Sequence, residues 1–130
     1  MKKVSVSEFA KDHWALLAYV EDLCVNSPKG IGSIDKRRMR CNPNRHPNES
    51  AKYQWKDEYG SRIVGGKVVL GHDDWDCLDE LEANGFVEIV SMANLTVKMT
   101  DRGNDVTAMV RSHKAAGGNY ADFSLQSQMG

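Results

Sequence analysis

The sequence predicts a mainly helical α+β domain, and three observations support this. Apolar residues recur at three- and four-residue steps in residues 7–25, 72–82 and 101–113, as on one face of an amphipathic helix. Shorter runs at 61–70 and 86–99 are rich in β-branched residues or alternate apolar with polar ones, as strands do. The 130 residues, 41% hydrophobic and 27% charged, have the length and composition of one globular domain.

The first predicted helix covers residues 7–25, with Ser7 as its N-cap and the turn formers of residues 26–30 at its end. Its inner face comprises Phe9, His13, Leu16, Leu17, Val20, Leu23 and Cys24. Ser33 can cap a short basic helix over residues 35–41, and the prolines that follow stop it.

The remaining elements are a hairpin, a third helix, two strands and a last helix. Gly65-Gly66 supplies the hairpin turn within residues 61–70. The third helix ends at Gly85, which can adopt the left-handed conformation, and Thr100 caps the last helix. The predicted core comprises Phe9, Leu16, Leu17, Val20, Leu23, Leu78, Leu81, Phe86, Val87, Ile89, Val97, Met99, Val106 and Val110.

Residues 1–116 are expected to form the single domain, and residues 117–130 a flexible tail. No apolar run approaches the roughly 20 residues that span a bilayer, and the basic start lacks the apolar region of a signal peptide. We therefore expect no membrane association and a cytoplasmic location. The odd number of cysteines at wide spacing argues against a disulfide framework.

The segments LDELEANGFVEI and TVKMTDRGNDVTAMV resemble the C-terminal half of MarR-like and PadR-like winged-helix regulators, over residues 72–112. In that family the recognition helix passes through an Ala-x-Gly turn into the wing. A Leu-Thr-x-x-Gly step then opens the next helix, matched here by Met99-Thr100-Asp101-Arg102-Gly103. The resemblance implies a winged-helix-like domain with a recognition helix over residues 72–82.

Two further expectations follow from this resemblance. The family usually places its second helix a few residues before the recognition helix, whereas about thirty residues separate Cys41 from His72 here. We therefore expect an inserted β-hairpin before the third helix. Because such regulators commonly dimerise through their terminal helices, a homodimer would use the surface that carries Trp14, Tyr19 and Met109.

The predicted recognition helix is acidic, with six carboxylates and no Lys or Arg from Asp73 to Glu82. Phosphate repels such a helix. One interpretation is a solvated face, since carboxylates in the first turn favour the helix dipole. The other is a surface for basic residues of a partner, with Trp75 as an aromatic anchor if it reaches solvent. The residues assigned to protein binding are Asp73, Trp75, Asp76, Asp79, Glu80 and Glu82.

We therefore expect a non-catalytic regulatory module that binds a protein as an inhibitor or adaptor, of a kind that suits a phage or mobile element. The alternative is a DNA-binding transcriptional regulator that uses the basic stretch of residues 36–45, where phosphate contacts would give salt-sensitive affinity. Its candidate contacts are Lys36, Arg37, Arg38, Arg40 and Arg45. These cations could instead pair with the acidic helix inside the molecule.

No cofactor is expected, and zinc is the alternative. Cys41-x4-His46 and His72-x4-Cys77 together offer the two Cys and two His of a structural zinc site, although the spacing is non-standard. Cys77 on a helix is more often a small buried hydrophobe. No nucleophile elbow, phosphate loop or dinucleotide-binding turn occurs in the sequence, so an enzyme is not expected.

Overall fold

The computed structural model describes residues 9, 11–35, 39, 61–62, 68–69, 73–91, 93–120 and 123. Its elements are α1 (Lys11–Val25), β1 (Ile31–Ser33), β2 (Ser61–Arg62), β3 (Val68–Val69), α2 (Asp74–Ala83), β4 (Val87–Ser91), β5 (Thr96–Met99) and α3 (Asp101–Ala115). Ser7, most of the short basic helix and the Gly65-Gly66 turn lie outside the described residues. Among the described helices, none has the length and apolar character needed to cross a membrane.

An antiparallel sheet of three strands lies beside the helices, in the order β1-β5-β4. Of these three strands the sequence predicted only β4 and β5. β1 is an addition that pairs Ile31 with Lys98 and Ser33 with Thr96. β2 and β3 pair antiparallel where the inserted hairpin was expected, with Ser61 opposite Val69. The described part of the chain is therefore α+β, with three helices, a three-stranded antiparallel sheet and a two-stranded pair, and it is compatible with a winged-helix-like fold.

The ends of α2 and α3 follow from local hydrogen bonding. Asp73 is the N-cap of α2, where its side chain accepts from the backbone N–H of Asp76. Gly85 follows the helix with a φ of 81°, as the sequence predicted. Thr100 caps α3 by accepting from the N–H of Gly103 at 2.9 Å. These bonds satisfy backbone N–H groups that a helix start leaves without partners.

The core agrees with the sequence except at its margins. Leu23, Ile89 and Met99 are only partly buried, and the other predicted core side chains are buried. Additional buried apolar side chains are Trp14, Cys24, Ile34, Met39, Trp75, Cys77, Leu95 and Phe123. Trp14 is 1% exposed, so its prediction as part of a dimer surface is wrong: it packs inside the molecule against Phe9, Phe86 and Phe123.

The turn between β4 and β5 is held close to the domain. Leu95 adopts a φ of 48°, and its side chain is buried. The backbone N–H of Ile34 donates to the Leu95 carbonyl at 2.9 Å, and the Ser33 hydroxyl donates to the Asn94 carbonyl at 3.3 Å. The end of β1 and the residue after it thus hold the β4–β5 turn from one side.

Part of the predicted tail packs on the domain. Phe123 is 3% exposed and contacts Trp14 edge to face, with ring centroids 4.8 Å apart. Tyr120 lies under the ammonium group of Lys114 at 4.4 Å. Gly117 has a φ of 98°, which favours glycine and lets the chain turn back after α3.

Thr100→Ala should destabilise the domain by about 1–2 kcal/mol, because it removes an N-cap. The same hydroxyl also lies 2.6 Å from the Gly85 carbonyl, so the loss should fall at the upper end of that range. Urea denaturation of the purified variant measures this change. Thr100→Ser keeps the hydroxyl and should restore most of the stability. Equal stability of the Ala variant and the parent would contradict the assigned cap.

Candidate functional site

The first turn of α2 uses two of its carboxylates inside the protein. The Asp73 side chain accepts from the N–H of Asp76 at 3.0 Å, and the Asp76 side chain accepts from the N–H of Asp73 at 3.0 Å. Asp73 is 0% exposed and Asp76 is 7% exposed. Both were predicted to face a partner. The structure corrects this, because reciprocal capping draws both carboxylates onto the backbone.

The middle of α2 is also buried. Trp75 is 3% exposed and Glu80 is 1% exposed, so neither offers the surface that the sequence analysis assigned to it. Glu80 points toward α1, where its Oε1 lies 2.8 Å from Nε2 of His13. This correction has a clear cause: a buried histidine on α1 provides a polar partner for a carboxylate in the core.

Apart from the half-buried Asp74 at the start of α2, what remains of the acidic surface lies at the end of α2 and on β4. Asp79 is half-buried and Glu82 is exposed, and they share a helix face through their three-residue spacing. The Glu82 carboxylate accepts from the N–H of Ile89 at 2.8 Å, which places it beside β4. Glu88 and Val90 are exposed on that strand. We call Asp79, Glu82, Glu88 and Val90 the α2–β4 surface.

Basic residues are missing from this part of the chain. Residues 73–97 contain seven carboxylates and no Lys or Arg. Lys98, at the edge of this stretch, lies 3.1 Å from Glu88, and both side chains are about half-exposed, so the pair contributes little to stability. Arg102 donates to the Asn84 carbonyl at 3.1 Å and lies over the Phe86 ring. Lys98 and Arg102, the first two cations after this stretch in the chain, thus both make contacts within the molecule.

The other two predicted sites cannot be placed. The basic residues Lys36, Arg37, Arg38, Arg40 and Arg45, and the candidate zinc ligands Cys41, His46 and His72, lie outside the described residues. Cys77, the fourth candidate ligand, is fully buried on α2. The structure brings His13 and Glu80 to it, a combination that the sequence analysis did not consider.

Comparison with known proteins gives no relative from which to transfer a role. No family model, curated protein or solved structure matches this chain. The helices and the three-stranded sheet agree with the winged-helix expectation at the level of architecture. Membership of the MarR-like or PadR-like group stays a prediction, and the site has to be judged from its own residues.

Three potential ligand side chains meet in the core between α1 and α2. The donor atoms of His13, Cys77 and Glu80 all lie within 4.8 Å of one another, and all three residues are buried. His13 was visible in the sequence as a polar member of the apolar face of α1. The burial of Glu80 could not be recognised in the sequence, because its spacing on α2 fitted an exposed carboxylate as well as a buried one.

The second described cysteine, Cys24, has a different environment. Its thiol lies 3.5 Å from the Val97 carbonyl, to which it can donate. Desolvation by burial raises the pKa of the Cys24 thiol above its usual value, because burial disfavours the thiolate. Cys24 is therefore a structural thiol, and it serves below as a control for Cys77.

A shallow groove runs between α1 and α3. Its volume is about 670 Å³, and it is lined by Ala18, Glu21, Asp22, Val25, Asn104 and Arg111. Arg111 and Thr107 both donate to the Glu21 carboxylate, and these hydrogen bonds connect the two helices.

Tyr19 and Met109, the other residues assigned to a dimer surface, are partly buried. A homodimer through these helices stays a prediction.

Proposed function

We propose that this protein is a non-catalytic winged-helix regulatory module that binds a protein partner, as an inhibitor or adaptor, through the α2–β4 surface. One observation carries the proposal: residues 73–97, which include the helix and most of the wing, have no Lys or Arg. The carboxylates that are half-buried or exposed there belong to Asp74, Asp79, Glu82 and Glu88, and the last three lie in the α2–β4 surface. A basic protein surface is the chemical complement of such a region.

The same region is poorly suited to DNA. Groove-binding helices and wings position themselves through cations and other donors to phosphate, and a carboxylate about 4 Å from a phosphate is repelled by about 1 kcal/mol even in bulk water. The wing turn adds no compensating contact, because Leu95 is buried and the neighbouring Ala93 and Asn94 are uncharged. DNA binding would have to come from another part of the chain.

The partner is expected to combine basic residues with a small apolar contact. Charges at the rim of an interface increase the association rate and fix the orientation, but contribute less to affinity. With Trp75 in the core, the exposed Val90 at 48% takes its place as the apolar element. Binding should therefore be moderate in strength and should weaken as salt is raised.

The test compares two triple variants with the parent protein. Asp79→Asn, Glu82→Gln and Glu88→Gln remove three charges from the α2–β4 surface while keeping side chains that can form hydrogen bonds. Capture of partners from a lysate should fall by about tenfold or more, since each lost charge pair of about 0.5 kcal/mol weakens binding. The matched control neutralises three exposed carboxylates of α1 and α3, Asp22→Asn, Asp101→Asn and Asp105→Asn, and should retain the partner.

Two outcomes would reject the proposal. A partner recovered equally well by the parent and the α2–β4 variant would show that this surface is not the contact. Tight double-stranded DNA binding that is lost when Arg37, Arg38, Arg40 and Arg45 are replaced would instead support the alternative, a transcriptional regulator that uses the basic stretch. Salt titration of the DNA complex would then give the number of phosphates contacted.

A further inference from the structure

We propose that His13, Cys77 and Glu80 bind a divalent transition metal, with zinc as the best chemical match, in the core between α1 and α2. The three donor atoms come from three different chemical groups and lie within 4.8 Å of one another. All three residues are buried. This site is independent of the α2–β4 surface and of the proposed partner.

The geometry is close to what zinc requires. Zinc bonds of about 2.0–2.3 Å to nitrogen, oxygen and sulfur in a tetrahedron place the donor atoms about 3.3–3.6 Å apart. Nε2 of His13 and Oε1 of Glu80 are 2.8 Å apart, so they would have to separate by about half an ångström. The thiol lies within 4.8 Å of both. The three donors are therefore within about 1.5 Å of the tetrahedral spacing.

Two neighbouring features hold the ligands in place. Phe9 stacks on the His13 ring, with centroids 4.1 Å apart and planes at 9°, and this restricts rotation of the imidazole. Cys77 and Glu80 are three residues apart on α2, so their side chains leave the same face of the helix. The capping box formed by Asp73 and Asp76 fixes the start of that helix. Ligands held in this way lose less conformational freedom when a metal binds.

The chemical groups of the three ligands favour some metal ions over others. A thiolate with an imidazole suits zinc and similar first-row ions, whereas calcium and magnesium prefer sites made of oxygen ligands. Three protein ligands are also the usual number when a fourth position is left for water or another group. Without metal, the same atoms form a buried hydrogen bond between His13 and Glu80. The experiment has to separate these two states.

Cobalt(II) is the probe, because a thiolate bound to cobalt gives a near-ultraviolet charge-transfer band. The full-length protein is freed of metal with a chelator and titrated with cobalt, then with zinc as a competitor. We expect the band to saturate at one equivalent of cobalt and to be removed by zinc. Cys77→Ser should abolish the band, and Cys24→Ser, which changes the structural thiol, should retain it. His13→Asn should weaken cobalt binding by at least about tenfold.

Thermal unfolding provides a second measurement. A ligand that binds only the folded state raises Tm as its concentration increases, so zinc should raise the Tm of the parent and of Cys24→Ser. The inference is overturned if the folded parent protein shows no thiolate-to-cobalt band at one equivalent of cobalt. This measurement uses the parent protein alone and does not depend on the folding of any variant. The inference is also overturned if the band persists in folded Cys77→Ser, because another cysteine would then be the ligand.

Discussion

Gly103→Ala is expected to destabilise the domain by about 2–3 kcal/mol, as overpacking does. In most helix interiors the same change stabilises, by roughly 1 kcal/mol. Here a methyl group would overlap the carbonyl oxygen of Phe86 and approach its carbonyl carbon. Both are backbone atoms at the start of the sheet, so the clash cannot be relieved by rotating a side chain. We expect α3 to move away from β4 or the domain to lose cooperativity.

Urea denaturation followed by circular dichroism measures the effect. Asn104→Ala is the matched control, because Asn104 is the next residue of α3 and its side chain is exposed. This change should alter stability by no more than about 0.5 kcal/mol. A Gly103→Ala variant as stable as the parent would mean that α3 does not lie against the Phe86 carbonyl, and the position of this helix would need revision.

The second large effect concerns the pair formed by His13 and Glu80. His13→Leu should destabilise the domain by about 3–5 kcal/mol, the usual cost of removing one member of a buried pair. The reason is that the Glu80 carboxyl group, left in the core, loses a hydrogen-bond partner that lies 2.8 Å away. Replacing both residues with Leu should restore much of the stability, since no polar side chain of the pair then remains to be desolvated.

A double-mutant cycle with His13→Leu, Glu80→Leu and the double variant isolates the pairwise contribution. Denaturation is measured in the presence of a chelator, so that metal binding at Cys77 cannot contribute to the measured free energy of unfolding. Leu16→Ala is a useful reference, because it removes a buried apolar side chain of α1 and should lower stability without coupling to Glu80. Additive effects of the two Leu variants would exclude an energetic link between α1 and α2 through this pair.

The elements that the sequence predicted well are those with signals inside a short window. Residues 72–82 and 101–113 show helical periodicity, residues 86–99 show strand patterning, Gly85 marks the end of α2, and Thr100 precedes α3. The core residues of these elements could therefore be assigned from spacing alone. β1 could not. It has only three residues, Ile31–Ser33, and what makes it a strand is pairing with β5, more than sixty residues later.

The site was harder to predict because charge was taken as a sign of exposure. Asp73 and Asp76 form a capping box, which the D-x-x-D spacing before an apolar run could have suggested. Glu80 is buried beside His13, and a partner 67 residues away leaves no local pattern in the sequence. Trp14 belongs to the core because Phe123 packs on it, and Phe123 follows a stretch that resembled a flexible tail.

The central position of β5 affects the order in which the chain can fold. Its neighbours β1 and β4 both pair with it, and β1 has no sheet partner among the described strands until Thr96–Met99 has been synthesised. Ile34 likewise has to wait for Leu95, whose carbonyl it binds. Such distant pairings slow folding, because a long loop must close before any contact compensates for the lost entropy. During translation, β1 must therefore remain without its sheet partner until β5 has left the ribosome.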